Sequence, residues 1–253
     1  MFSKELESFS NAALKKSDMS KNSPFQYMNS AIIAGFFIVV ATILSNVTAA
    51  VFYKNSPETA KFLGSFLFSI AIVLIVFVGG ELFTGNNMAM AFGLYNKKVK
   101  LGSACRVWVM SYIGNLIGAF ILGGLFVLSG CASGILTDYY SAIIPSKLEL
   151  DPLTLFIRGV MCNYLVCLAV FVGTKMQTEI GKLAVIFCII TTFVIAGFEH
   201  CIANMGTFII SGFLLGGLPF EQVLTSFVFV TLGNMVGGAI LFSLPIQLAT
   251  KRK

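Results

Sequence analysis

Two apolar stretches of this chain, roughly 61–95 and 182–216, are too long for one membrane-crossing helix and each carries an acid in its interior. A straight span takes about 20 residues at 1.5 Å per residue. The first stretch is interrupted by Gly79-Gly80-Glu81-Leu82-Phe83-Thr84-Gly85-Asn86-Asn87 and the second by Gly197-Phe198-Glu199-His200-Cys201-Ile202-Ala203-Asn204-Met205. The second interruption holds the only histidine of 253 residues. An acid or a base at bilayer depth is costly unless it faces a partner or a wet cavity. Non-helical backbone is tolerated there only where protein or water satisfies it. Each stretch is therefore expected to be two half-helices joined by a turn, with a translocation site where the turns meet.

The rest of the chain supplies the setting. Further apolar segments lie at about 29–52, 104–130, 154–175 and 222–247, giving six in all. Only 11% of residues are charged, against about 25% in soluble domains, so an integral membrane protein is expected. The net charge of +6 sits in short segments between apolar runs, which argues for topological charge and against nucleic acid. Lys4, Lys15, Lys16, Lys21, Lys97, Lys98, Lys100, Arg106, Lys175, Lys182, Lys251, Arg252 and Lys253 would share one side. Lys54, Lys61 and Lys147 would take the other, with Arg158 just inside the fourth segment. The positive-inside rule then makes both termini cytoplasmic. The expected divisions are a cytoplasmic segment 1–28, a six-span body 29–247 and a cytoplasmic tail 248–253. The start has no apolar stretch before residue 29 and does not read as a cleavable signal. The six cysteines, at 105, 131, 162, 167, 188 and 201, form no Cys-x-x-Cys and read as buried small hydrophobes.

The halves repeat. Glu81-x-x-x-x-Asn86 recurs as Glu199-x-x-x-x-Asn204, an offset of 118 residues, and Gly114-Asn115-x-x-Gly118 recurs as Gly233-Asn234-x-x-Gly237, an offset of 119. Three spans per repeat is an odd number, so the second copy is expected inverted, with the two breaks facing each other near the midplane. Gly114, Gly118, Gly123, Gly233, Gly237 and Gly238 would let helices approach closely, a packing role.

With both breaks in hand, the sequence resembles the formate/nitrite transporter family. The likeness rests on Gly80-Glu81-Leu82-Phe83-Thr84-Gly85-Asn86, on the run from Arg158 to Val170 that holds Cys162-Asn163-Tyr164-Leu165-Val166-Cys167, on Gly197 to Met205, and on Gly233-Asn234-Met235-Val236-Gly237-Gly238. Among the branches it looks most like the hydrosulfide channels. The resemblance implies an all-α, aquaporin-like protomer of six spans in two inverted three-helix repeats, with the second and fifth helices broken. It also implies a homopentamer with one pore per protomer in the inner cell membrane. His200 would stand in a central chamber, with Thr84 opposite. Lys147, in the loop before the fourth span, would face the pore from outside, and Asn163 and Glu199 would tie it to the histidine. Phe68, Ile72 and Phe193 would form the outer constriction, and Leu82, Phe83 and Val166 the inner one.

The chemistry of these residues leaves alternatives. Half-helix N-termini present free N–H groups to an anion, and a vestibule lysine draws anions in. The imidazole's ordinary pKa near 6.5 would let it pass a proton to the anion, which then crosses the second constriction as a neutral acid. The other reading is a permanently neutral His200 that only donates a hydrogen bond, since charging a buried ring is costly. Glu81 and Glu199 also suit a structural role on freed backbone N–H groups, Asn86 and Asn204 the role of caps, and Thr84 a bond one turn back. Met88, Met90 and Met205 read as packing. The expected function is a channel for small monovalent anions (hydrosulfide favoured, formate and nitrite in the same class), surrounded by lipid and without a cofactor. A neutral-solute channel of the water or glycerol type is the alternative. An enzyme or metal site is disfavoured, because Glu199, His200 and Cys201 are adjacent on one helix and a catalytic zinc takes three convergent ligands.

Overall fold

The computed structural model describes residues 2–250, and every element among them is helical. A first helix, α1 (Ser3–Asn22), precedes α2 (Pro24–Tyr53), α3 (Pro57–Leu67) and α4 (Ile70–Phe77). The chain then leaves helical geometry and resumes as α5 (Phe83–Tyr95), followed by α6 (Leu101–Leu128) and α7 (Ser133–Leu148). The second half runs α8 (Pro152–Lys175), α9 (Glu179–Ile195), a second non-helical stretch, α10 (Cys201–Leu214), α11 (Phe220–Met235), a π-helical turn Val236–Phe242 and α12 (Ser243–Leu248). Among the described residues, five helical stretches are long and apolar enough to cross a membrane: Pro24–Tyr53, Pro57–Phe77, Leu101–Leu128, Pro152–Lys175 and Phe220–Leu248.

Local chemistry sets several of the starts. Proline opens α2, α3 and α8, where a missing N–H costs nothing and the fixed φ suits the first turn. The Asp151 side chain caps α8 by accepting from the Leu153 and Thr154 amides, both at 3.0 Å. At the two non-helical stretches Gly79 and Gly197 take φ of +97° and +76°, a left-handed conformation that glycine reaches without a Cβ clash. They occupy matching places in the repeat.

The long helices pack where glycines remove side chains. A Cβ on Gly118 of α6 would stand 2.2 Å from the Ile32 carbonyl oxygen of α2, and one on Gly233 of α11 would stand 2.2 Å from the Phe156 carbonyl oxygen of α8. Gly114 meets Ala31 in the first pair, and Gly237 meets Val160 in the second.

Two expectations change here, the loop placement of Lys147 and the burial of all six cysteines, and the N-terminal segment gains a structure the sequence had left open. Lys147 lies in the last turn of the helix α7, not in a loop. The N-terminal segment is a helix that buries Leu6, Ser10, Ala13 and Ser20 against the body, with the Phe9 ring stacked on Phe171 at 5.8 Å. Cys105, Cys131 and Cys188 are exposed, and only Cys162, Cys167 and Cys201 are buried. Of the tail's basic residues, Lys251, Arg252 and Lys253 lie outside the described residues.

Candidate functional site: a histidine–threonine contact between two cavities

One asparagine holds each non-helical stretch to a long helix. Asn115 of α6 donates to the Ala31 and Glu81 carbonyls at 2.8 and 3.0 Å and accepts from the Phe83 amide at 2.9 Å. Asn234 of α11 donates to the Gly159 and Glu199 carbonyls at 2.8 and 2.9 Å and accepts from the Cys201 amide at 2.9 Å. Both asparagines lie midway along their helical stretches, Leu101–Leu128 and Phe220–Leu248. The backbone groups that a helix break sets free are thus taken up by fully buried amides, as buried polar groups require.

Each stretch also carries an ion pair. The Lys16 ammonium donates to both Glu81 carboxylate oxygens at 2.7 Å, and Asn86 Nδ2 donates to Glu81 Oε2 at 3.0 Å. The Lys147 ammonium donates to the Glu199 oxygens at 2.7 and 2.6 Å, and Asn204 Nδ2 to Glu199 Oε2 at 2.8 Å. An ammonium has three N–H groups, so each lysine keeps one beyond its carboxylate.

His200 precedes α10 and caps it: its Nδ1 accepts from the Ala203 amide at 3.1 Å. Its Nε2 lies 3.0 Å from Thr84 Oγ1 in the first turn of α5. A ring nitrogen that accepts a hydrogen bond carries no proton, so the neutral ring holds its proton on Nε2 and donates to Thr84. The threonine hydroxyl is left with its own proton to give. Both side chains are buried, His200 at 3% and Thr84 at 0% exposure. The two residues, 116 apart in sequence, join the starts of two half-helices.

Two cavities lie near this contact, the first lined by His200 and the second by Leu82 and Gly85, the neighbours of Thr84; Thr84 itself lines neither. One, of about 180 Å³, is lined by His200, Glu199, Lys147, Phe68 and Phe193, with Thr42, Ser45, Asn46 and Thr207 among its polar walls. Phe193 lies nearly parallel to the imidazole with ring centres 6.1 Å apart, and Phe68 meets Phe193 edge-on at 6.0 Å. The other, of about 250 Å³, is lined by Leu82, Val166, Ile72, Gly85, Phe9 and Lys16 among others. Ile72 therefore sits with Leu82 and Val166 and not with Phe68 and Phe193. Phe83 lines neither cavity; its ring packs edge-on against Tyr112 at 5.1 Å, in an apolar groove with Trp108 and Thr231. Asn163 donates to the Thr84 and Asn234 carbonyls at 3.2 and 2.6 Å and, among the described residues, not to Lys147 or His200. It fixes the threonine's backbone and leaves the tie to Lys147 to Glu199 alone.

Sequence reasoning counted Lys16 only as topological charge and read Gly-Asn-x-x-Gly through its glycines. An acid at bilayer depth calls for a cation, which was a signal for a partner to Glu81 but not for which lysine. The recurrence of Asn115 as Asn234 was the signal for the two anchors.

A family model described as formate/nitrite transporter matches residues 3–248. The uncharacterized transporter YwcJ of Bacillus subtilis (strain 168) is 33% identical over 250 residues, which cover 95% of each chain. A solved structure described as an FNT family ion channel superposes with a TM-score of 0.91 at 24% identity, covering 99% of this chain and 100% of its own. A pentameric formate channel solved with formate bound superposes with a TM-score of 0.78 at 29% identity, covering 90% of this chain and 98% of its own.

Proposed function

The chain belongs to the formate/nitrite transporter family, and from that premise we propose that it conducts a small monovalent anion past the His200–Thr84 contact, with hydrosulfide as the favoured substrate. In this reading six spans form two inverted repeats, α3–α4 with α5 and α9 with α10 being the broken spans of an aquaporin-like protomer. Both breaks lie near the bilayer midplane, the termini are cytoplasmic in the inner cell membrane, and the protomers assemble as a pentamer. The observation that carries the proposal is the 3.0 Å contact of His200 with Thr84 near two cavities, each of which holds a lysine.

An anion entering from the Lys147 side loses water to Phe68 and Phe193, which give no hydrogen bonds in return. The spare N–H of Lys147, the Thr84 hydroxyl and the first amides of α5 and α10 offset that loss. Lys16 offers the matching donor on the far side of Leu82, Ile72 and Val166. Because each lysine is ion-paired to a glutamate, it acts as a short-range donor more than as a long-range field.

The Ala203 bond favours the neutral imidazole. A second proton on Nδ1 would face the Ala203 N–H, two donors without an acceptor. A neutral donor suits a basic anion such as hydrosulfide, whose neutral acid is well populated near neutrality without being forced, better than formate or nitrite. Replacing His200 with Asn keeps a donor and removes the titrating ring, so the pH dependence of flux should stay as it was. Its disappearance would establish proton transfer from the histidine. The substrate test is flux into proteoliposomes at alkaline pH, where the anions predominate, under a clamped membrane potential. Hydrosulfide should move fastest and respond to the potential. Faster formate or nitrite at equal concentration overturns the preference, and flux indifferent to potential favours the neutral-solute channel.

A further inference from the structure

The two cavities present different walls to an ion. Bonds to the breaks set α2 and α8 in a common register. The Ser30 and Arg158 carbonyls accept from the Glu81 and Glu199 amides, and the Ala31 and Gly159 carbonyls accept from Asn115 and Asn234. Counted from those residues, Thr42 and Ser45 of α2 answer to Val170 and Gly173 of α8. Thr42 and Ser45 line the cavity that holds Lys147, and Val170 lines the one that holds Lys16. One half of the frame therefore sets two hydroxyls where the other sets none.

These hydroxyls are left as acceptors. Thr42 Oγ1 donates to the Ile38 carbonyl at 2.9 Å, and Ser45 Oγ donates to the Gly64 carbonyl of α3 at 2.8 Å. A carbonyl only accepts, so each hydroxyl has spent its one proton and keeps lone pairs. Three residues apart on one helix, the two side chains share a face. Gly206 of α10 leaves room beside them, since a Cβ there would stand 3.2 Å from Thr42 Oγ1. An anion beside such lone pairs is repelled unless it brings a proton of its own. Formate and nitrite bring none to a hydrogen bond of this kind, whereas hydrosulfide carries an S–H. The Glu199 carboxylate also accepts, but its charge opposes an anion as a neutral hydroxyl does not.

We infer that Thr42 and Ser45 determine specificity: their oxygens accept the S–H of hydrosulfide while the spare N–H of Lys147 meets its sulfur, and they disfavour anions that carry no such proton. The inference deepens the reading of this cavity as part of a small anion's path and rests on it. The cavity of about 180 Å³ has the volume of about six waters, so a single small ion within it stays close to both kinds of wall. Selection of this sort works against the wrong ion as much as for the right one. On the Lys16 side, where Val170 stands in place of Thr42, the same discrimination is absent.

The test is the flux of hydrosulfide, formate and nitrite, each alone at equal concentration, into proteoliposomes of the full chain at alkaline pH. Thr42→Val keeps the side-chain shape and copies the residue of the other half; it is combined with Ser45→Ala. The hydrosulfide-to-formate and hydrosulfide-to-nitrite ratios should each fall about two- to fivefold, the size of one weak S–H···O bond. Thr42→Ser keeps the acceptor and should keep the ratios. Ratios that hold in the double variant overturn the inference even if every flux drops, because a loss of packing slows all three ions alike. Should the double variant fail to fold, Ser45→Ala alone deletes one of the two oxygens and is read the same way. Formate or nitrite outrunning hydrosulfide in the unaltered chain defeats the substrate preference, yet the acceptor wall stands if the ratios still fall. Fast hydrosulfide with unmoved ratios does the reverse, and a chain that conducts none of the three sinks both.

Discussion

The stretches 78–82 and 196–200 share a frame and differ in what the frame holds. In both, an asparagine of a long helix makes three bonds to the freed backbone. In both, a lysine and an asparagine clasp the glutamate. The residue after the glutamate, however, is Leu82 in one and His200 in the other, and Thr84 of the first half answers to Ile202 of the second. The contact near the cavities takes its histidine from one copy and its threonine from the other. The matching frame is the same in both stretches, and the difference at two positions puts a polar pair between them.

The lysines differ as well. Lys147 comes from α7, a helix between two spans, whereas Lys16 comes from α1, which lies over the cavity it lines. The largest effect expected is at the deeper pair. Glu199→Ala leaves the Lys147 cation without its carboxylate and should cost about 3–5 kcal/mol of stability in a denaturant titration, as broken buried ion pairs do. Glu81→Ala should cost less, because its side chain is 10% exposed against 5% for Glu199 and α1 can lift to return Lys16 to water. Equal losses would mean that α1 is as fixed as α7. Next come the glycine contacts, where the halves should match. Gly118→Ala and Gly233→Ala each push a Cβ toward a carbonyl oxygen 2.2 Å away, and overpacking of this kind costs about 1–3 kcal/mol. Melting temperatures that fall by different amounts would show that one helix pair yields more easily.

The smallest effect concerns the tether of α1. Glu5 meets Lys175 of α8 at 3.3 Å, and a backbone hydrogen bond together with Lys175 holds its carboxyl below the usual carboxylate range. A carboxylate held low stabilises the fold above that range and loses the contribution as pH falls through its folded value. Lys175→Met should therefore cost about 0.5 kcal/mol more near neutrality than once Glu5 is protonated, read as melting temperatures that draw closer in acid, the contacts of Lys175 with the Phe2 and Phe171 rings being independent of Glu5.

Much of this was legible in the residues. Apolar runs with an acid inside and glycines beside it marked the two interrupted stretches, and the offset of 118 paired them before any coordinates. Hydropathy is local, so the approximate limits of the long apolar helices followed too, but the helices α1 and α7 did not. Ile72 and Phe83 were not legible, because which face of a helix meets a cavity depends on rotation about its axis, and an all-apolar stretch such as Ile70–Phe77 carries no polar stripe to report it. The family likeness assigned Asn163, with Glu199, to the lysine and the histidine; the helix it sits on turns it toward the Thr84 carbonyl.

By itself the sequence determined that this chain is a membrane protein of two related halves, each with a charged interruption, since length, hydropathy and spacing are properties of neighbouring residues. The tertiary structure decided the partners: Lys16 for Glu81, Lys147 for Glu199, Thr84 and Ala203 for the two nitrogens of His200. Those pairs lie between 3 and 116 residues apart. Burial forces a charged or polar group to find a partner, but chain crossing in three dimensions chooses it.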